Sequence, residues 1–326
     1  MRRRVAGLGT MILALSLTWP AVGSAQAQAF PTKPVRIIAP FGAGGAVGFL
    51  ITFIAQKLEA KWGERVLIDP RPGAAGNLGA DAVARSEPDG YTLLFTTQAI
   101  AVNVSLNPGV AVRPLQALAP IAFVASGDMV LLVPDSLPVK SLVEFVAYAK
   151  ARPGELNFAS LGTGSMSQLA AELFNGIAGI EMAEIPYNGP GPATMDLMAG
   201  RTTYWMTNIP NIQPGGKTRA LAVSGSRRVS QLPDVPTFAE QGYGEFEASA
   251  WFALYAPAGT PKARIDLINR DVNDVLAMPD VKERFVTASM SPPGGTPEDL
   301  ARHVQSEMDR WAKVIRTQSR KPEAPK

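Results

Sequence analysis

The hydrophobic and polar positions of this 326-residue chain alternate between short apolar runs and longer amphipathic stretches. The first hundred residues hold three apolar runs typical of strands, 35–41, 65–70 and 91–97, separated by two stretches with helical periodicity, 46–61 and 77–87. Strands that are apolar throughout are typical of a sheet covered on both faces. This order therefore predicts a parallel sheet with helical crossovers.

The alternation continues beyond residue 120. Two neighbouring apolar runs, 121–126 and 129–134, predict two strands, and a helix with Ser141 as its N-cap follows. Further strands are predicted at 156–160, 181–187, 202–208 and 218–225, and further helices at 166–179, 191–200, 261–277, 279–288 and 296–316. Two α/β lobes follow from this second set of elements.

Two junctions between a strand and a helix are rich in glycine. They read PFGAGGA at 40–46 and ASLGTGSMS at 159–167, one in each predicted lobe. Ligands of open parallel sheets sit beyond the carboxyl ends of the strands, where helices begin. We therefore expect a ligand held between these two junctions.

The first junction does not match a nucleotide-binding loop. No lysine follows its glycines, as a P-loop would require, and Gly42, Gly44 and Gly48 are spaced one residue too widely for a dinucleotide fingerprint. Two alternatives stay open: a tight turn without a ligand, or backbone N–H groups that hold an anion at a helix start.

The second junction adds hydroxyl groups to its glycines. Ser160, Thr163, Ser165 and Ser167 could hold a carboxylate together with free N–H groups. Simple capping of the next helix by Ser165 needs no ligand and is the alternative.

Catalytic groups are scarce. The chain has one histidine, His303, no cysteine and no paired carboxylates, and His303 is predicted on a solvated face of the last helix. A Ser–His pair or a histidine-based metal site cannot be built from these residues. We expect no catalytic residue, no metal and no cofactor.

The N-terminus has the pattern of an export signal. Arg2, Arg3 and Arg4 precede a short apolar run, and small residues then offer cleavage after Ala27 or Ala29. Residues 1–27 hold three of the 31 basic residues and none of the 28 acidic ones, so 28 of each remain. The remaining chain is neutral, which gives no argument for nucleic acid, and we expect it in the periplasm.

Several motifs resemble those of one family. PTKPVRIIAPFGAGGA, RPGAAGN, PDGYTLL, IPYNGPGPATMDLMAG and LPDVPT occur in order across the chain. They are similar to the solute receptors of tripartite tricarboxylate transporters, also called Bug proteins. The resemblance implies a two-lobed α/β periplasmic binding protein (type II-like), with a ligand cleft between lobes that each hold a mainly parallel sheet flanked by helices. Lobe 1 would comprise 30–125 plus 250–326, and lobe 2 would comprise 126–249.

The resemblance also implies a binding site and partners. Backbone N–H groups and ordered water would hold a small organic mono- or dicarboxylate, and the receptor, a monomer, would deliver it to membrane permease subunits. The implied ligand-binding residues are Phe41, Gly42, Ala43, Gly44, Gly45, Ala46, Thr97, Gln98, Ser160, Gly162, Thr163, Gly164, Ser165 and Asn208.

Departures from the family pattern leave the ligand open. Gly48 and Thr52 stand where the family usually has an aspartate and, four residues later, an arginine after the first strand. Val47 replaces the threonine before that aspartate, and Trp205 is added. Trp205 with Tyr204 would suit an aromatic acid, or Trp205 could lie in the core. A ligand-presenting sensor component, a member that binds nothing, and an enzyme on this scaffold are the alternative functions; the last lacks a nucleophile–base pair.

Overall fold

The computed structural model describes residues 30–39, 45–106, 108–109, 112–213 and 215–318. The predicted export signal and residues 40–44 of the first glycine junction lie outside these ranges. The strands are β1 (Val35–Ala39), β2 (Val66–Pro70), β3 (Thr92–Thr97), β4 (Leu118–Pro134), β5 (Asn157–Ser160), β6 (Ala183–Pro186), β7 (Tyr204–Asn208), β8 (Thr218–Val223), β9 (Ser249–Pro257) and β10 (Met290–Ser291).

The helices follow the predicted alternation closely. They are α1 (Gly45–Trp62), α2 (Asn77–Ala84), α3 (Ala99–Leu106), α4 (Leu142–Lys150), α5 (Met166–Ala178), α6 (Pro190–Met198), α7 (Lys262–Ala277), α8 (Pro279–Thr287) and α9 (Pro297–Gln318). As predicted, the Ser141 side chain caps α4 by accepting a hydrogen bond from the Glu144 N–H.

The described strands form one continuous sheet. Its order is β2-β1-β3-β9-β4-β7-β5-β6, with β8 and β10 also paired to β4. Each end of this order is a parallel run, β2-β1-β3 and β7-β5-β6, as the crossover helices predict. The pairings of β4 and β9 between the two runs are antiparallel.

Strand β4 corrects one prediction. The sequence predicts two strands, 121–126 and 129–134, with a break at Gly127 and Asp128, but the structure has a single strand of 17 residues. Gly127 pairs with Ala250 and Asp128 with Ser249, so β9 carries the ladder across this polar dipeptide. Pairing with a distant strand overrides the local turn signal.

Two hydrophobic clusters stabilise the two ends of the sheet. Ile38, Leu94 and Trp251 belong to the first cluster, around β1, β3 and β9. Leu132 and Trp205 belong to the second, between β4, β7 and helix α6. Burial on both faces explains the continuous apolar runs of the strands.

The solvated position predicted for His303 is wrong. Its ring is half-buried, 4.6 Å from the Phe123 ring and 5.3 Å from the Trp251 ring between ring centroids. Burial lowers the pKa of His303, which favours the neutral imidazole. Helix α9 buries Val304 next to it, so this histidine lies at the edge of the buried face rather than on the exposed one.

Helix α3 was not predicted from the sequence. Its residues are apolar almost throughout, so it lacks the polar face that marks an amphipathic helix. It packs against α9, nearly 200 residues further along the chain. Together with its packing against α2 and β3, this contact explains why most of the helix is apolar.

We predict that Phe174→Ala is strongly destabilising. Phe174 is fully buried. Its ring packs edge-on against three other aromatic rings, with centroid-to-centroid distances of 5.3 Å to Phe238, 5.6 Å to Tyr243 and 5.9 Å to Phe246. Loss of a buried phenylalanine with a residual cavity costs about 3–5 kcal/mol in the free energy of unfolding, which urea titration measures. Val143→Ala on the exposed face of α4 is the control, with an expected change of about 0.5 kcal/mol or less. Equal effects of the two substitutions would contradict this packing.

Candidate functional site

The predicted loops follow the carboxyl ends of parallel strands. β1 and β3 are paired in parallel, so these strands end at Ala39 and Thr97 on the same edge of the sheet. β5 and β7 are likewise parallel, which places the segments after Ser160 and Asn208 at one edge. Helix α1 also contacts the 3₁₀ turn Ile209–Asn211 that follows β7. Helix α1 of the first parallel run therefore contacts the turn that follows β7 in the second run.

The first pair of segments is only partly described. Phe41, Gly42, Ala43 and Gly44 lie outside the described residues, and Gly45 and Ala46 open helix α1, where nothing is described of the Ala46 side chain. This arrangement agrees with the predicted helix start. It leaves the anion-binding role of the first loop a prediction.

Thr97 and Gln98 are buried at the end of β3, and their side chains accept hydrogen bonds from nearby backbone N–H groups. The Thr97 hydroxyl accepts a hydrogen bond from the Ala99 N–H at 3.3 Å. The Gln98 side-chain carbonyl accepts one from the Trp251 N–H at 3.4 Å. Both side chains thus connect the end of β3 to its neighbours.

The second loop owes its shape to two glycines. Gly162 and Gly164 have φ angles of 88° and 78°, in the left-handed region that favours glycine. The Gly162 N–H donates to the Ser160 hydroxyl at 3.0 Å, and the Gly164 N–H donates to the Gln168 side-chain carbonyl at 2.8 Å. The amides of this loop are therefore held by side chains from its two ends.

Serines complete the second loop as helix caps. The Ser165 hydroxyl accepts from the Gln168 N–H at 3.3 Å, which confirms the capping alternative. The Leu161 N–H donates to the Ser167 hydroxyl at 2.9 Å. Thr163 is exposed at the tip of the loop. Capping does not exclude a ligand at Thr163, because the loop presents this residue to solvent.

The sequence analysis did not identify two glutamates next to this loop, Glu184 and Glu172. Glu184 on β6 accepts hydrogen bonds from the Ser160 hydroxyl at 2.5 Å and from the Gln168 amide at 3.0 Å. Burial and the neighbouring Glu184 raise the pKa of Glu172 on α5 to about 7. No local motif marks either residue; the pairing of β6 with β5 brings Glu184 to the loop.

Asn208 has a donor available at the end of β7. Its side-chain amide nitrogen is buried and has no hydrogen-bond partner among the described residues. Three residues further on, the Asn211 amide donates to the Thr207 hydroxyl at 3.0 Å and is satisfied internally. A buried donor without a partner lowers the stability of the protein. A hydrogen-bond acceptor on a ligand at this position would supply the missing partner and offset that cost.

The structure resolves the alternatives for Trp205 in favour of the core. Its side chain is fully buried among Leu132, Ala193 and Val223. Tyr204 is also fully buried and donates a hydrogen bond from its hydroxyl to the Asn175 side chain at 2.8 Å, on the other face of β7. Successive strand residues point to opposite faces, so the two rings cannot stack together on one aromatic ligand.

We also searched the described ranges for a metal-binding site. Within them, no group of three or more histidines, aspartates or glutamates is arranged to hold a metal ion.

No described helix is both long and apolar enough to cross a bilayer.

Comparison with known proteins agrees with the resemblance of the motifs. The family model for the tripartite tricarboxylate transporter family receptor, TctC, matches residues 51–319. Protein BugT of Bordetella pertussis is 37% identical over 321 residues and covers 97% of each chain. Rpa4515 of R. palustris, solved with adipate, is 34% identical with a TM-score of 0.84, over 88% of this chain and 98% of that one. MatC from Rhodopseudomonas palustris with bound malate is 32% identical with a TM-score of 0.81, over 88% and 100%.

The fold is that of a two-lobed periplasmic binding protein. The chain belongs to the TctC family of tripartite tricarboxylate transporter receptors. The fold class and the family expected from the motifs are thus confirmed. The lobe boundaries and the ligand-contacting residues stay predictions.

We predict that Glu172→Gln stabilises the protein at alkaline pH. The pKa of this carboxyl rises from an ordinary 4.5 to about 7 on folding, so the folded state keeps a proton that the unfolded state has lost. The free energy of unfolding therefore falls as pH rises between these values. After a discount for partial exposure, the gain from the substitution at pH 8 is about 1–2 kcal/mol.

Urea unfolding near pH 5 and at pH 8 measures this effect. The exposed Glu181, on the loop between α5 and β6, offers Glu181→Gln as a matched control that should gain nothing. A Glu172→Gln variant whose stability follows the wild-type pH dependence would disprove a raised pKa at this position.

Proposed function

We propose that this protein is an exported receptor that binds a small aliphatic mono- or dicarboxylate and delivers it to the membrane subunits of its transporter. The ligand would lie at the carboxyl ends of the parallel strands, between the first glycine loop (41–46) and the second loop (160–165). Cleavage after Ala27 or Ala29 would release the receptor into the periplasm as a monomer. We assign it no catalytic residue and no cofactor.

The observation that carries this proposal is the unpartnered, buried amide nitrogen of Asn208. It lies at the end of β7, at the same sheet edge as the end of β5 and beside the turn that α1 contacts. Family membership supplies the class of ligand, and two relatives were solved with adipate and malate. The buried positions of Trp205 and Tyr204 weaken the case for an aromatic acid.

Such a site needs no charged side chain. A hydrogen bond to a charged group contributes about 1.5–3 kcal/mol, so four of them supply on the order of 6–12 kcal/mol. A helix N-terminus adds about 1 kcal/mol for an anion. After the cost of ordering, binding in the micromolar range, about −8 kcal/mol, is within reach.

Thermal unfolding of the processed receptor against a panel of carboxylates tests this function. A ligand at 100 times its Kd stabilises the folded state by about 2.7 kcal/mol, which raises the midpoint by several degrees. The panel should include malate, adipate and benzoate, with the corresponding amides as uncharged controls. The intact mass of protein recovered from the periplasm would locate the cleavage site. No shift for any acid, with no co-purified ligand in native mass spectrometry, would refute the proposed receptor.

We predict that Asn208→Ala weakens carboxylate binding about 10- to 100-fold, because it removes one hydrogen bond to a charged group. Its stability without ligand should hold or rise slightly, since the lost donor has no partner. Asn211→Ala is the matched control: it removes an internal hydrogen bond and should keep the wild-type Kd. Isothermal titration calorimetry measures the Kd of both variants. Equal Kd values for wild type and Asn208→Ala would remove Asn208 from the site.

A further inference from the structure

We propose that Glu184 is the positioning residue of the second loop and that Glu172 makes this loop's affinity for an anion depend on pH. The inference deepens the proposed function, because it concerns how the same site is held and charged. Neither glutamate belongs to the loop or to the set of residues expected to contact ligand.

The geometry makes Glu184 the common support of both loop glycines. One carboxylate accepts from the Ser160 hydroxyl and from the Gln168 amide, at 2.5 and 3.0 Å. These two side chains in turn accept the N–H groups of Gly162 and Gly164, at 3.0 and 2.8 Å. Two relays of two hydrogen bonds therefore run from Glu184 to both glycines of the loop.

Burial makes this support rigid. Ser160 is fully buried and Gln168 is nearly so, and this burial restricts the access of water to their polar groups. Removal of the carboxylate would leave a buried hydroxyl and a buried amide to find new acceptors. We therefore expect a substitution of Glu184 to shift the loop, even though Glu184 lies on β6 and not in the loop itself.

Glu172 places a second carboxyl near the first. It follows Gln168 by four residues on α5, so the two side chains share one face of that helix. Burial, and then the charge of Glu184, raise the pKa of Glu172 to about 7. The charge of this pair therefore changes near neutral pH.

The other groups facing Glu172 do not titrate in this range. Tyr204 on β7 is fully buried, and burial raises its pKa well above the ordinary value, so it stays neutral. Gln168 is uncharged and favours the ionised form of Glu172. No basic side chain of the described chain is among the causes of the raised Glu172 pKa. Glu184 is the charged neighbour that matters.

The sign of the effect on binding follows. Below pH 7, Glu172 is neutral and the pair carries one negative charge; above pH 7 it carries two. The carboxyl groups of the ligand ionise below pH 6 and stay largely ionised between pH 6 and pH 8. The added charge repels the ligand, so Kd should rise roughly two- to five-fold between pH 6 and pH 8.

The first experiment needs no ligand. Amide shifts of Gly162 and Gly164 in glycine-labelled protein are followed by NMR from pH 5.5 to pH 8.5. In wild type they should titrate with a midpoint near 7, and this titration should vanish in Glu172→Gln. Glu184→Gln should move both signals at every pH, whereas Glu181→Gln should move neither. Signals that ignore both pH and Glu184→Gln overturn the inference.

The second experiment measures adipate binding by calorimetry at pH 6 and pH 8. The Kd of the wild-type protein for adipate should be higher at pH 8 than at pH 6 by the stated factor, whereas Glu172→Gln should have the same Kd at both pH values. Glu184→Gln should bind adipate with a Kd roughly ten-fold higher than that of the wild type. Circular dichroism during heating shows that each variant is folded. A wild-type pH profile retained by Glu172→Gln refutes the proposed charge effect. If wild type binds no carboxylate of the panel, the proposed function fails, and the NMR titration alone decides the inference about the loop.

Discussion

The antiparallel pairing of β4 with β9 is the contact on which the arrangement of this molecule depends. β4 is a single strand of 17 residues whose first part pairs with β9 and whose last part pairs with β7 and β8. It therefore joins the two parallel runs into one sheet. The first run is joined to β4 through β9 and the second run directly through β7, so the carboxyl ends of β1, β3, β5 and β7 have fixed neighbours.

The second glycine loop shows how side chains hold a loop in one shape. Its glycines take left-handed backbone angles that place their N–H groups against Ser160 and Gln168, and Glu184 holds both of these side chains. Much of the loop's hydrogen-bonding capacity is thus used to keep its shape. Thr163 is exposed on this loop, and the side-chain nitrogen of Asn208, at the end of β7, is buried without a partner among the described residues. For the anion that we propose, such preorganisation would reduce the ordering cost of binding.

Local patterns predicted most of the elements because each depends on neighbouring residues alone. Ser141 and Ser165 cap the helices that their positions indicate, and apolar runs mark the strands that are buried on both faces. The errors share a different cause. Strand β9 was not predicted, and it pairs with β3 and β4. The unbroken strand β4, the mainly apolar helix α3 and the half-buried His303 each depend on partners far along the chain, which are β9, α9 and Trp251 respectively. Periodicity within a window of a dozen residues cannot contain that information.

The sequence by itself determined the family, the α/β alternation and the positions of the glycine-rich junctions, since these are written in contiguous motifs. Only the tertiary structure decided what surrounds the second of these junctions. It placed Trp205 and Tyr204 in the core on opposite sides of β7, left the Asn208 amide without a partner, and brought Glu184 and Glu172 below the second loop. The physical reason is that burial and charge at a site arise from contacts between strands and helices distant in sequence, and these contacts also set the pKa values there.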